Sequence, residues 1–430
     1  MGIEFDWHDA EDERWHHEDD TAEWREHPGQ PASPPATAVR KPKGRTIATW
    51  RMSDGGLLRT VGYLGLGVLI GTLISGGIIY YVSQRNQAMA RADLQAVISA
   101  EARALATGDE EIFLSLQDDS EAWQEIQRYE LEAREIANTP TELSLDDFVL
   151  LNEIAWATVG FEQNGTPYQR MQFYRLVNGQ WRRTAPDLSF WGEEKSLETR
   201  NIRFVYRARD EALVQRVSQL AEDVYSRTAL EFNVGASPQL TFYIDPEPQP
   251  NSPLITAGEV HLASPQLTGI RSDGELPIEF SQKAAYSIIL RLALEKSGIK
   301  IGSRVPEPTI GPNWVVMQGV VYWQLDRLLP DNTTVPGLRA RLREASSRNE
   351  LMPLSSLWPP YSYGSLRRTA LALAEAHSMV SFLADTTDPG RIPLLLRSLE
   401  ETVNPNVTLD ALGLDFRQFE QAWRAYTIGP

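Results

Sequence analysis

The chemistry open to this chain is limited by its six histidines and its complete lack of cysteine. Without a thiol there is no cysteine nucleophile, no thiolate metal site and no disulfide framework. Zinc hydrolysis on a helix needs two histidines four residues apart with a glutamate after the first. That spacing puts both imidazoles on one helix face and a general base beside the metal-bound water. No His-Glu-x-x-His occurs anywhere in the chain. Four histidines, His8, His16, His17 and His27, fall in the first 27 residues, and only His261 and His377 lie further on. His261 sits beside an expected strand and His377 mid-helix, two residues after Glu375. A lone histidine in such a place is usually a packed, hydrogen-bonded residue, and two do not make a three-ligand site. No Gly-x-Ser-x-Gly elbow supports serine nucleophilic catalysis.

The early histidines stand beside tryptophans: Trp7-His8, Trp15-His16-His17, and Trp24 followed by His27. Residues 1–30 hold eleven Asp/Glu against Arg14 and Arg25, a net of −9. Such a segment is either a linear motif with aromatic anchors, a weak divalent-metal site, or a solvated acidic tail, and the composition favours the last. Pro28, Pro31, Pro34, Pro35 and Pro42 make the following stretch an extended linker. The full chain of 430 residues is 42% apolar and 23% charged, ordinary for a folded protein with two or three domains. Its net charge of −17 argues against a nucleic-acid partner, since no broad basic face would neutralise phosphates. Asn-x-Ser/Thr triplets occur at Asn164, Asn332 and Asn406.

From Thr60 to Val82 the sequence carries no charge. Its 23 residues would form a helix about 35 Å long, and the expectation is a single transmembrane helix at 60–82. Arg40, Lys41, Lys43, Arg45, Arg51 and Arg59 precede it, and only Arg85 and Arg91 follow closely. That asymmetry expects a type II orientation in the cell membrane, with a cytoplasmic tail of residues 1–59 and extracytoplasmic domains beyond. Gly67, Gly71 and Ser75 recur every four residues, a stripe that suits helix–helix contact and a homodimer.

Beyond the span the pattern is α+β. Residues 87–107 place Leu94, Val97, Ile98 and Leu105 at helical spacing, Asp109 is a plausible N-cap for a short helix to Leu116, and 119–137 form a third helix. Residues 146–162, 167–177 and 180–184 read as strands, with Asn178-Gly179 a hairpin turn between the last two. Trp156, Trp181 and Trp191 read as core or interface aromatics. The segment 86–195, most visibly FYRLVNGQWRRTAPDLSFWG at 173–192, resembles the NTF2-like (SnoaL-like) family. The resemblance implies an α+β cone that holds a small molecule or pairs with another domain. Enzymes of that fold usually carry an Asp/His pair, and this segment has no histidine, which expects a non-catalytic role.

Residues 200–430 read as a small sheet followed by a helical body. Strands are expected at 202–207, 239–244 and 259–263, with helices at 209–230, 278–298, 313–329, 335–347, 366–386, 390–401 and 415–427. GPNWVVMQGVVYW (311–323), AEAHSMVSFLADT (374–386) and TLDALGLDFRQFEQAW (408–423) resemble the peptidase MA-like family, a gluzincin-type metallopeptidase group. The family reads approximately Pro-x-Trp-Leu-x-Glu-Gly-x-Ala-x-Tyr in the first of these. The resemblance puts the His-Glu-x-x-His helix at 280–296, where Gln282, Lys283 and Tyr286 stand for His, Glu and His. A second register gives Tyr286, Ser287 and Leu290. Gln318 stands for the third ligand, Glu. Both registers lack ligands and base, which implies a pseudopeptidase without metal or cofactor. A vestigial cleft would be lined by Tyr286, Trp314, Gln318, Tyr322, Glu375 and His377. The expectation is therefore a membrane-anchored, non-catalytic binding or scaffold protein for a peptide or protein ligand. The alternatives are a transmembrane regulator that couples an outer ligand to the tail, and a residual metal-dependent peptidase.

Overall fold

The computed structural model describes residues 54–134, 142–163, 165–235, 238–247, 253–256, 258–299, 313–358, 366–388 and 390–428. The acidic tail lies outside them. The chain divides into two compact units, Met1–Ser75 and Gly76–Pro430.

The first element is one continuous helix, α1 (Asp54–Thr107). Among the described residues no helix is long and apolar enough to cross a membrane. The expected span at 60–82, and with it the single-pass membrane class, is corrected on that finding. The uncharged run at 60–82 is the early part of this helix, whose backbone continues unbroken through Gln84, Arg85 and Arg91 to Thr107. Of the proposed contact stripe, Ser75 is exposed, and the side-chain surroundings at Gly67 and Gly71 fall outside the described residues.

The later part of α1 belongs to an α+β layer. Two short helices follow it, α2 (Glu110–Ser115) and α3 (Glu121–Arg134). The Asp109 side chain accepts from the Ile112 amide at 3.0 Å, the N-cap that the sequence indicates. Four antiparallel strands come next: β1 (Leu143–Leu151), β2 (Ile154–Gln163), β3 (Thr166–Val177) and β4 (Gln180–Thr184). The stretch 146–162, expected as one strand, is broken at Asn152, whose φ of 58° reverses the chain into a tight turn. Asn178 and Gly179 both take positive φ (52° and 79°), as a two-residue hairpin turn requires. Leu94 and Ile98 of α1 are fully buried against Leu145, Ala155, Ala157, Val159, Tyr174 and Trp181. Phe173, next to Tyr174 but pointing the other way, packs with Phe190 and Trp191 of α4 (Leu188–Trp191). Trp156 meets the Phe190 ring edge-on at 5.3 Å. The three tryptophans are thus core residues split between two clusters.

The stretch between the two expected domains, 195–200, lies largely in a strand. Strand β5 (Glu194–Glu198) already pairs with β6 (Ile202–Arg207), opening a second sheet. Helix α5 (Glu211–Phe232) then leads to β7 (Leu240–Asp245), β8 (Leu254–Ile255) and β9 (Glu259–Ala263). The order is β5-β6-β7-β9-β8, parallel at β6/β7 and β7/β9 and antiparallel at both edges. After α6 (Pro265–Thr268), the two-residue strand β10 (Ile270–Arg271) returns to β3 of the first sheet. β10 takes the part of the β3 edge that β4 leaves uncovered, so the two sheets are tied by chain from both halves.

The remainder is helical: α7 (Ile278–Ser297), α8 (Trp314–Leu328), α9 (Thr334–Ser347), α10 (Leu366–Thr386), α11 (Arg391–Glu401), α12 (Pro405–Ala411) and α13 (Phe416–Ile428). One large core joins the inner face of the second sheet, α5 and these helices, from Ile202, Phe204 and Phe242 through Ile288 and Val320 to Trp358 and Trp423. Helix α7 is buried almost all round, which is the signature of a central helix.

Candidate functional site

Helix α7 brings Gln282 and Tyr286, four residues apart, to neighbouring positions on one face. Trp314, Gln318 and Tyr322 make the equivalent stripe on α8. The two stripes meet: the Tyr286 hydroxyl donates to Gln318 Oε1 at 2.9 Å, and the Tyr286 and Tyr322 rings lie 6.0 Å apart, tilted by 40°. Gln282 Oε1 accepts from the Thr333 hydroxyl at 3.2 Å. The amide nitrogens of Gln282 and Gln318 are buried and have no hydrogen-bond partner among the described residues. Lys283 is exposed and is no part of this contact. In the second register, Ser287 is spent on the Lys283 carbonyl and Leu290 is core.

The phase of α8 depends on Gly319, next to Gln318. A Cβ at Gly319 would stand 2.6 Å from the Ala376 carbonyl oxygen of α10. No side chain fits there, so the two backbones pack directly. Trp314 is half-buried at the start of α8 and joins the core.

Glu375 and His377 go elsewhere. Two residues apart on α10, they are ~200° apart around the helix. Fully buried Glu375 accepts from the Met352 amide at 2.8 Å, which fastens the segment after α9. Burial pushes its carboxyl up to about 7, against the weaker pull of the Met352 amide and Arg424. His377 is 3% exposed, and burial pushes its ring down to about 4. It lines a pocket with Trp323, Asp326 and Arg339 rather than the Tyr286–Gln318 contact.

His261 forms a pair that the sequence did not announce. Its Nδ1 lies 3.0 Å from Asp245 Oδ2, and its ring stacks on Tyr243 at 4.7 Å. Burial raises the Asp245 carboxyl and His261 opposes that shift. The pairing of β7 with β9 sets Tyr243 opposite His261, a register that residue types alone do not reveal. A second unannounced group lies in the first domain, where fully buried Glu101 is ion-paired with Arg183. Beside them Tyr174, its hydroxyl held far above its usual range chiefly by burial, donates to Gln172 at 2.7 Å.

Chemically, the α7–α8 contact is neutral. A phenol and two carboxamides can donate and accept hydrogen bonds but neither bind zinc firmly nor activate water. Among the described residues, no group of three or more His, Asp or Glu side chains is arranged to hold a metal ion. No protein-family model matches the sequence, and no curated protein is significantly similar to it.

Proposed function

We propose that the C-terminal half is a catalytically inert, peptidase-like module that holds a peptide or protein segment at the α7–α8 contact without cutting it. The Tyr286–Gln318 hydrogen bond carries this reading, because it joins the two positions that the peptidase MA-like resemblance assigns to metal ligands. A phenol bonded to a carboxamide is what remains when a second histidine and a glutamate are both replaced by neutral groups. The Gln282 and Gln318 amide nitrogens have no partner among the described residues. They are donors that a peptide carbonyl would satisfy once the α7–α8 contact opens to admit it. The NTF2-like resemblance of the first domain fits a pairing role, and the β10–β3 strand pair supports it.

The test is zinc analysis of the purified full-length chain, with hydrolysis of end-blocked peptides followed with and without chelator. Less than about one-tenth equivalent of zinc and no chelator-sensitive cleavage support the reading. Near-stoichiometric zinc with cleavage refutes it. Binding of the same end-blocked peptides, read by fluorescence anisotropy, should weaken in Gln318→Ala.

A further inference from the structure

A pocket of about 560 Å³ lies among α8, α9, α10 and α13, within the usual range for small-molecule sites. Its charged lining is Asp326 and Arg327 from α8, Arg339 and Arg343 from α9, and Asp385 from α10, with His377 in the wall. Most of these charges are committed. Arg339 is paired with Asp326, and Asp385 accepts from the Tyr426 hydroxyl at 2.9 Å. Arg327 is bonded to Glu231 at 2.8 Å and lies over the Trp323 ring. Arg343 differs. Its Nε reaches the Arg339 carbonyl at 3.4 Å, and among the described residues it has no carboxylate partner. With Glu231 holding Arg327 and Asp326 holding Arg339, Arg343 is the guanidinium of this lining that no carboxylate among the described residues pairs, in a chain whose net charge is −17.

The second observation is His377. It is 3% exposed, and its Nε2 has no hydrogen-bond partner among the described residues. Being neutral near pH 7, it offers the pocket a hydrogen bond and no charge. Leu342 and Ala384 add apolar wall. We propose that this pocket binds the carboxylate of a small amphipathic acid, with Arg343 as its charge partner and His377 as a second hydrogen-bonding group. A planar guanidinium matches a carboxylate fork to fork. A single negative charge pairs with Arg343, whereas a phosphate dianion would bring a second charge near Asp326 and Asp385. The carboxylate could belong to a free acid or to a peptide C-terminus. The site is independent of the peptide-holding reading, since neither Tyr286 nor Gln318 lines it.

The experiment is calorimetric titration of the full-length protein with N-acetylphenylalanine, its carboxamide, inorganic phosphate, and one short peptide with a free or an amidated C-terminus. The expected dissociation constant for the acid, the free-ended peptide or both is on the order of 100 µM. The carboxamide, the amidated peptide and phosphate should bind at least about tenfold more weakly. Arg343 is exposed, so Arg343→Ala should leave the fold intact and lower affinity about tenfold or more, with Arg343→Lys in between. Binding of the peptide alone assigns the site to a chain terminus, and binding of the free acid assigns it to a small molecule. Equal binding of acid and carboxamide, unchanged affinity in Arg343→Ala, or no heat with any carboxylate up to about 10 mM overturns the proposal.

Discussion

Gly319→Ala is the sharpest test of how the site is positioned. In an unconstrained helix the change would add ~1 kcal/mol of stability, because alanine loses less backbone freedom than glycine. At this position the new Cβ would lie 2.6 Å from the Ala376 oxygen, 2.7 Å from its carbonyl carbon and 3.0 Å from its Cβ. Two of those atoms are backbone, so relief needs α8 or α10 to move as a whole, within a core that includes Val316, Val320, Ala372 and Val380. Overpacking of this kind costs up to ~3 kcal/mol, and after the propensity gain the net loss is about 2 kcal/mol. Gly337, in α9, is the matched control: it is exposed and a Cβ there meets nothing within 4 Å. Gly337→Ala should therefore stabilise by roughly 0.5–1 kcal/mol.

Hydrogen exchange reads the difference locally, which matters in a chain with more than one domain. A loss of ~2 kcal/mol should speed exchange of α8 amides about 30-fold where sub-global opening controls it. Gly337→Ala should slow exchange in α9 a few-fold. If Gly319→Ala protects α8 as well as the parent chain does, the direct α8–α10 packing is wrong, and the placement of Gln318 opposite Tyr286 falls with it.

Other outcomes follow from the same geometry. Tyr286→Phe removes the donor to Gln318 and should cost about 1 kcal/mol in urea unfolding, while leaving Gln318→Leu/Tyr286→Phe nearer the parent than the single change. Arg183→Met leaves the Glu101 carboxylate buried and unpaired, and should cost about 3 kcal/mol or more, with Glu101→Gln added to the same chain recovering part of it. The Asp210 carboxyl, fully buried and bonded to the Ser264 hydroxyl, is pushed up to about 7 by burial, as Glu375 is. The folded chain therefore binds protons that the unfolded chain has released between about pH 4 and 7, so stability falls as pH rises through that window, by up to ~1.4 kcal/mol per unit for each group. His377, pushed down to about 4, opposes this between about pH 4 and 6.5. Asp210→Asn should raise the urea midpoint above pH 7 and flatten its decline between about pH 5 and 7.

How far the sequence reaches depends on whether a feature is local. The Asn178-Gly179 turn was readable because both positions need positive φ and these two residues tolerate it. The helices from α7 onward, except the short α12, were readable within a few residues, helped by stops such as Gly298 in the left-handed region after α7. Strand β5 was missed because Glu-Lys-Ser-Leu-Glu carries no apolar alternation: it is an edge strand held by its pairing with β6. β10 is two residues long, and its place is set by β3, some hundred residues earlier, so nothing local marks it. The run from 60 to 82 was taken as a unit because it lacks charge, whereas the backbone carries one helix straight through to Thr107.

The site divides along the same line. That Gln282 and Tyr286 share a face is a matter of spacing within one helix, and so is the divergence of Glu375 from His377, which grouping them in one cleft overlooked. That Tyr286 meets Gln318 depends on the rotation of α8 about its own axis. Gly319 sets that rotation by admitting the α10 backbone, and the sequence offers only a glycine in the middle of an apolar helix as the sign of it. Residue types can be counted from the sequence, but what Tyr286 and Gln318 do for one another needs the phase of both helices. Gly319 fixes how α8 lies against α10, and that phase turns Gln318 toward the hydroxyl of Tyr286.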